Sequence, residues 1–222
     1  MLWIDLKNPC LNGEPKQYEP VIWELSNIEV LPPPVVSTEQ SIESIINSRR
    51  SRRDFGLLTR EQLSTILWLS CRTIEKKISD IGIPIERRPV ASSGAIHPIH
   101  VLIGKADSPW FRYNTDNHTI EELCGSMVPS TNLITEVTQV LPPGDASILL
   151  FVAEPEKVFA KYDNANSLIW RDAGVLLGHL AIVAESLKLN FCPLGITGEP
   201  WVSNLDKQNR LFGVGVALIG AR

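Results

Sequence analysis

Between Ile169 and Leu189 the residues Ala173, Leu176, Leu177, Leu180, Ala181, Ala184 and Leu187 return every three or four places, the spacing of one face of an α-helix. An apolar stripe of that length cannot stay in water, so a broad second layer has to cover it. Three runs can supply that layer: Ile99–Ile103, Ser147–Ala153 behind Pro142-Pro143-Gly144, and Phe212–Gly220. Each is short and rich in β-branched or large apolar residues, and reads as a buried strand. Glycines in the last run point to close approach of backbone or ligand. Two capping patterns predict further helices. Ser37-Thr38-Glu39-Gln40 precedes Ile42, Ile45 and Ile46, and Thr59-Arg60-Glu61-Gln62 precedes Leu63, Ile66 and Leu67. The predicted helices run from Ser37 to about Ser48 and over roughly 59–73. Strands and helices alternate without regular βαβ units, so the expected class is α+β and not a parallel dinucleotide-binding sheet. No GxGxxG or GxxxxGK[ST] phosphate loop and no internal repeat occurs.

The first 36 residues differ from this pattern. Pro9, Pro15, Pro20 and Pro32-Pro33-Pro34 favour extended chain. Leu2, Trp3, Ile4, Val21, Ile22, Trp23, Ile28, Val30 and Leu31 are too apolar for a free linker. Residues 1–36 are therefore expected to form an arm that packs on its own body or a partner's, and 37–222 to form the body. Composition supports a folded chain, since 44% of the 222 residues are hydrophobic and 21% charged. A formal net charge of −4 removes the bulk attraction that nucleic-acid binding depends on, so any bound anion must be held locally. No stretch looks like the ~18 apolar residues of a membrane helix, and the first residues lack a secretory pattern. The expectation is a cytoplasmic protein. Cys10, Cys71, Cys124 and Cys192 form no CxxC pair and are expected to be reduced thiols, three of them in or near the core.

Two turns carry chemistry. Arg49-Arg50-Ser51-Arg52-Arg53, followed by Asp54-Phe55, offers fixed guanidinium donors and a hydroxyl, which suits a phosphate monoester. The same run also reads as a solvated basic face, although in an acidic chain it is an isolated positive spot. The second turn, Arg87-Arg88-Pro89-Val90-Ala91-Ser92-Ser93-Gly94-Ala95-Ile96-His97-Pro98, leads straight into a predicted strand. Its small side chains let a flat ligand reach the backbone, though an ordinary loop has the same composition.

Taken together, "RRSRRDF", "RPVASSGAIHP", "WRDAGVLLGHLAIVAESLKL", "CPLG" and the terminal "VGVALIGAR" resemble the flavin-dependent nitroreductase superfamily over roughly residues 40–222. Within it the chain is most similar to the SagB-type azoline dehydrogenases, which form thiazoles and oxazoles in ribosomally made peptides. The Ser-Gly turn resembles that branch's Pro-Ser-Ala-Gly-Ala pattern, and Lys161-Tyr162 stands where the branch carries a catalytic Lys-Tyr pair. The resemblance implies a central, mostly antiparallel sheet flanked by helices, and FMN bound at a homodimer interface. It implies that Arg49, Arg50, Ser51 and Arg53 contact the phosphate, ribityl chain and ring edge. Ser92, Ser93 and Gly94 are implied to lie along the isoalloxazine, Leu194 and Gly195 near its reactive nitrogen, and Arg222 beside the phosphate. The chain departs from the pattern at Ala91, where the branch has Pro, and at His97, where Tyr is usual. The sequence ends just past the last predicted strand, so the 1–36 arm is expected to replace the extension that many nitroreductases wrap around their partner.

Oxidising an azoline removes a hydride and a proton from adjacent carbons, so the resemblance implies Lys161 as base and Tyr162 as the group that orients substrate or relays the proton. Without it, the two are ordinary surface residues at a helix entry. Two other functions stay open: an NAD(P)H-dependent nitro- or quinone reductase, and a non-catalytic flavin-binding scaffold of a cyclodehydratase complex. Of the remaining residues, His97 is the histidine expected near the flavin and His179 a core histidine. Trp170 packs or lines a substrate pocket, and Asp172 is an N-terminal helix charge. No ligand cluster for a metal is evident, and the loops of 104–146 are expected to shape the substrate pocket.

Overall fold

A computed structural model describes residues 7–14, 16–36, 40–79 and 82–222. The short strand β1 (Cys10–Leu11) is followed by β2 (Leu25–Val30), then by the helices α1 (Ile42–Ser48) and α2 (Arg60–Cys71). A hairpin of β3 (Glu75–Ile78) and β4 (Pro84–Arg87) leads to β5 (Ile99–Gly104), β6 (Phe111–Asn114) and β7 (Thr119–Leu123). The chain continues through α3 (Thr131–Val140), β8 (Ser147–Ala153), α4 (Pro155–Phe159) and β9 (Tyr162–Asp163). It closes with α5 (Asn166–Ser186), β10 (Leu189–Pro193) and β11 (Phe212–Ala221).

Seven strands form one sheet in the order β10-β11-β8-β5-β6-β7-β2, antiparallel at every pairing. The expected α+β class with an antiparallel sheet is what the chain forms. β8 is buried along its whole length and lies in the interior of the sheet, between β11 and β5. Its alternate side chains feed two separate cores, Leu149, Phe151 and Ala153 on the face of α2 and α5, Ile148, Leu150 and Val152 on the opposite face with Leu133 and Val137 of α3. In β11 a bulge between Gly213 and Gly215 shifts the register, so that Val214 joins Ala217 and Ile219 on the α5 side while Val216 and Leu218 face the other way.

Several boundaries differ from the sequence reading. α1 starts four residues later than expected, capped by Ser41, whose Oγ accepts from the Ser44 amide at 3.2 Å. The Ser37–Glu39 part of the expected capping box lies outside the described residues. The second capping box is present in both directions between Thr59 and Gln62. α5 begins three residues before Ile169 and stops before Leu189, which opens β10 instead. Residues 25–30, read as part of an extended arm, form the edge strand paired with β7. By length and apolar composition α5 could cross a membrane, which corrects the statement that no stretch approaches that standard. In this fold its apolar stripe packs on α2 and the sheet.

Candidate functional site

The serine-glycine turn is built by an unusual backbone. Gly94, Ala95 and His97 all have positive φ, at 60°, 58° and 51°, with fully buried Ile96 between them as an anchor. Left-handed conformations at non-glycine residues cost free energy and persist only where the surroundings fix them. Here the fixing group is Asp172 on the second turn of α5. Its carboxylate accepts from Ser92 Oγ at 2.5 Å, from Ser93 Oγ at 2.9 Å and from the Ser93 amide at 3.1 Å. Ser92 Oγ in turn accepts from the His97 amide at 2.9 Å. Asp172 is therefore not the N-terminal helix charge expected, but the buried acceptor of the turn.

A second cluster braces the turn from behind. The Nε2–H of His97 donates to the Glu86 carbonyl at 3.0 Å, and Lys157 Nζ donates to the His97 carbonyl at 3.3 Å. Burial and the neighbouring Arg88 push the His97 imidazole down to about 4, so the ring is neutral. Burial likewise lowers Lys157, against the pull of Glu86. Burial would raise Glu86, but Arg88 and Lys157 outweigh it and hold the carboxyl below its ordinary value. These groups line a cavity of about 330 Å³ together with His100, Arg112 and Glu154.

Lys161 and Tyr162 stand directly over the turn. A β-carbon built on Gly94 would lie 2.6 Å from the Tyr162 hydroxyl and 3.0 Å from Lys161 Nζ. Lys161 Nζ sits 5.4 Å from the centre of the Tyr162 ring. The N-terminal segment holds the pair in place. β1 pairs with β9, the Asn12 amide donates to the Lys161 carbonyl at 3.0 Å, and Asn12 Nδ2 donates to the carbonyls of Phe159 and Ala160 at 2.8 and 3.0 Å.

The basic run lies elsewhere. Arg52 turns inward, its amide bonding the Phe191 carbonyl at 3.2 Å and its guanidinium lying 3.4 Å from Glu185 at the C-terminal end of α5. Arg49, Arg50, Ser51 and Arg53 face outward, and among the described residues the three arginines form no ion pair. A bridge between Gly56 and Ala221 lays this segment beside the chain end. There Arg222 donates to Glu185 at 2.9 Å and to Asn190 at 3.3 Å. Leu194 donates its amide to the Val216 carbonyl at 2.8 Å, and Gly195 is exposed with no atom near the place of a β-carbon.

The structure thus joins Ser92, Ser93 and Gly94 to Lys161 and Tyr162, and joins the arginine run to Arg222, as two separate groups. Sequence reasoning missed Asp172, Glu185, Glu86 and Asn12. For Asp172 a signal existed, since three residues after Ile169 and four before Leu176 it falls on the buried phase of the helix, where a carboxylate needs donors. Asn12 carries no periodic or motif signal. His179 bonds the Leu69 carbonyl at 3.3 Å, and Trp170 packs edge-on against Phe212 at a solvent-facing groove. Cys71 and Cys192 are buried, Cys124 is half-buried and Cys10 is exposed, all as free thiols. No metal-ligand cluster occurs among the described residues.

No family model matches the sequence, and no curated protein matches it. Solved structures do. A Ralstonia eutropha protein described as a nitroreductase superposes with a TM-score of 0.63 at 16% identity, over 94% of this chain and 97% of that one. A chain of the Escherichia coli microcin synthetase McbBCD complex with truncated pro-MccB17 bound gives 0.57 at 18% identity, over 87% and 78%. A Desulfovibrio desulfuricans protein, described as a nitroreductase in complex with FMN, gives 0.51 at 18%, over 82% and 87%. The chain has the nitroreductase fold.

Proposed function

We propose that this chain is an FMN-dependent oxidoreductase, acting as a homodimer, that oxidises azoline rings of a ribosomally made peptide to azoles. The observation that carries the reading is the placement of Lys161 Nζ and the Tyr162 hydroxyl against Gly94, where a side chain on the turn would collide with both. It supports the sequence resemblance to the SagB-type branch, which carries a catalytic Lys-Tyr pair at this place in the sequence.

The residues present fit FMN. Outward-facing Arg49, Arg50 and Arg53 supply guanidinium donors for a phosphate, and the open backbone at Gly195 leaves room for a flat ring. Bound FMN would supply the hydride acceptor, with oxygen as the terminal oxidant. Lys161 Nζ, as the neutral amine that the step requires, takes the proton from the carbon next to the one that gives up the hydride and becomes the ammonium, so that loss of both leaves the aromatic ring. Tyr162, whose hydroxyl reaches the same point of the turn, orients the azoline over the backbone of Gly94.

A distance within the chain supports the dimer. Asp172 holds the turn and Glu185 holds Arg52 and Arg222, 13 positions further along α5. At about 1.5 Å per residue that is ~20 Å, which the five-carbon ribityl chain of one FMN does not span. An antiparallel crossing of two α5 helices near Gly178, midway between the two carboxylates, brings the turn of one protomer to the arginines of its partner. Gly174 and Gly178 are exposed on that helix with nothing near the place of a β-carbon. Membership of a synthetase complex by a protein of this fold, with a peptide bound, is in keeping with a cyclodehydratase partner.

The test is the visible spectrum of the purified protein, followed by anaerobic NADH and then by an azoline-containing peptide. Flavin bands that survive NADH and bleach with the peptide are expected. Immediate bleaching by NADH would assign a nitro- or quinone reductase, and a colourless protein that FMN does not reconstitute would leave a scaffold.

A further inference from the structure

We propose that Asp172 is a positioning residue of the flavin site, and that Ser92 and Ser93 act through it and not as hydrogen-bond donors to the ring. The inference rests on the flavin reading above. Each serine hydroxyl has one proton, and both point at the Asp172 carboxylate, at 2.5 and 2.9 Å. The Ser93 amide is also committed to it, at 3.1 Å. What the turn has left for a flat ligand is the solvent-exposed edge of Gly94, beside the Lys161 and Tyr162 side-chain ends that occupy the place of its β-carbon. Charge-assisted hydrogen bonds to a buried carboxylate are among the stronger ones available, and Asp172 is only 7% exposed. Three such bonds can therefore hold the two non-glycine left-handed residues of the turn, Ala95 and His97, in a conformation that they do not favour alone. Without the carboxylate the turn relaxes, and both ring contact and the reach of Lys161 to substrate are lost.

A double-mutant cycle separates positioning from direct contact. FMN is titrated into the full-length wild-type protein, into D172N, S92A and S93A, and into the D172N/S92A and D172N/S93A pairs, with flavin fluorescence as the readout. D172N is expected to weaken FMN binding about tenfold, and the serine substitutions to add little once Asp172 has gone. The position of the bound flavin's visible bands should shift in D172N and S93A alike. Serine substitutions that cost the same in the wild-type and D172N backgrounds would overturn the proposal, because hydroxyls bonded to the ring lose their contact regardless of Asp172. Amide hydrogen exchange on the wild-type full chain, without added flavin, gives an answer even if a variant does not fold. A slowly exchanging Ser93 amide is expected, and a freely exchanging one would overturn the assignment. A wild-type protein that binds no FMN would remove the flavin reading itself, whereas one that binds FMN with an additive cycle would remove only the role of Asp172.

Discussion

Asp172 and Glu185 are the two buried carboxylates of one helix, and each gathers a different half of the candidate site. Asp172 takes the donors of the Ser92–Ser93 turn, and Glu185 takes the guanidinium groups of Arg52 and Arg222. Helix α5 is thus more than a core element. Its length fixes the spacing between the Ser92–Ser93 turn and the Arg52–Arg222 corner, which the proposed function assigns to the ring and the phosphate of one flavin shared between two copies.

Gly178→Leu tests that arrangement. A helix-interior glycine costs about 1 kcal/mol relative to Ala, so replacing one in open space should raise the melting temperature of the isolated protomer. If α5 crosses a second α5 there, the leucine side chain keeps the helices apart. Light scattering after size exclusion should show a shift from dimer to monomer, and FMN should be lost with it. A G178L protein that remains a flavin-loaded dimer would place the interface elsewhere.

Gly94→Ala addresses the carrying observation of the functional reading. The new methyl group meets the Tyr162 hydroxyl and Lys161 Nζ, both at the ends of side chains that can move aside. The left-handed backbone at φ 60° adds a strain of about 1 kcal/mol. The variant should fold with a small loss in thermal stability, yet turn over an azoline peptide about a hundredfold more slowly, because the reacting groups are displaced by an ångström or more. Stopped-flow measurement of flavin reduction by the peptide reads that loss directly.

Those parts of the fold that rest on repeating patterns were legible in the sequence. Ser147–Ala153 is a strand to the residue, and the capping box at Thr59 starts α2 where it should. The edge strand Leu25–Val30 was not, because its mostly exposed side chains lack the alternation of a half-buried strand and its neighbour β7 lies nearly a hundred residues away. Motif order pointed to Ser92–Gly94 and Lys161–Tyr162 separately. Their contact depends on the β1–β9 pairing and on Asn12, long-range features with no local trace. Asp172 was misread for a simpler reason, since a charge near a helix start suggests a dipole role until its buried phase is counted.

Asn12→Ala removes the two side-chain hydrogen bonds that fix the carbonyls of Phe159 and Ala160 just ahead of Lys161. Loss of these bonds should cost about 1 to 2 kcal/mol of local stability. The segment 159–163 then exchanges its amides faster, which hydrogen-exchange mass spectrometry detects. FMN affinity is expected to stay within about twofold of wild type, since Asn12 touches neither the turn nor the arginines, while the rate of peptide oxidation falls. Equal losses in both would show that the N-terminal segment supports the whole site and not the Lys161–Tyr162 pair.

His97 makes the stability of the turn depend on pH. Its folded value near 4 lies below the ordinary 6.5, so between those limits the unfolded chain binds a proton that the folded chain does not. The sign is therefore fixed: the contribution of His97 is complete above about pH 6.5 and is lost as the pH falls towards 4. At pH 5 the loss amounts to about 2 kcal/mol. Glu86 and Glu154, held below their ordinary values, lose their contributions only at lower pH, whereas His100 and His118 are also lowered and share the window. The difference between proteins isolates His97. His97→Tyr, which places there the residue usual in the resembling branch, carries no group that titrates in that window. Urea unfolding at pH 7.5 and at pH 5 should show the wild-type protein losing about 2 kcal/mol more than H97Y over that interval. Equal losses in the two proteins would mean that the imidazole is open to water and that the turn is not closed from behind as the Glu86–His97–Lys157 contacts imply.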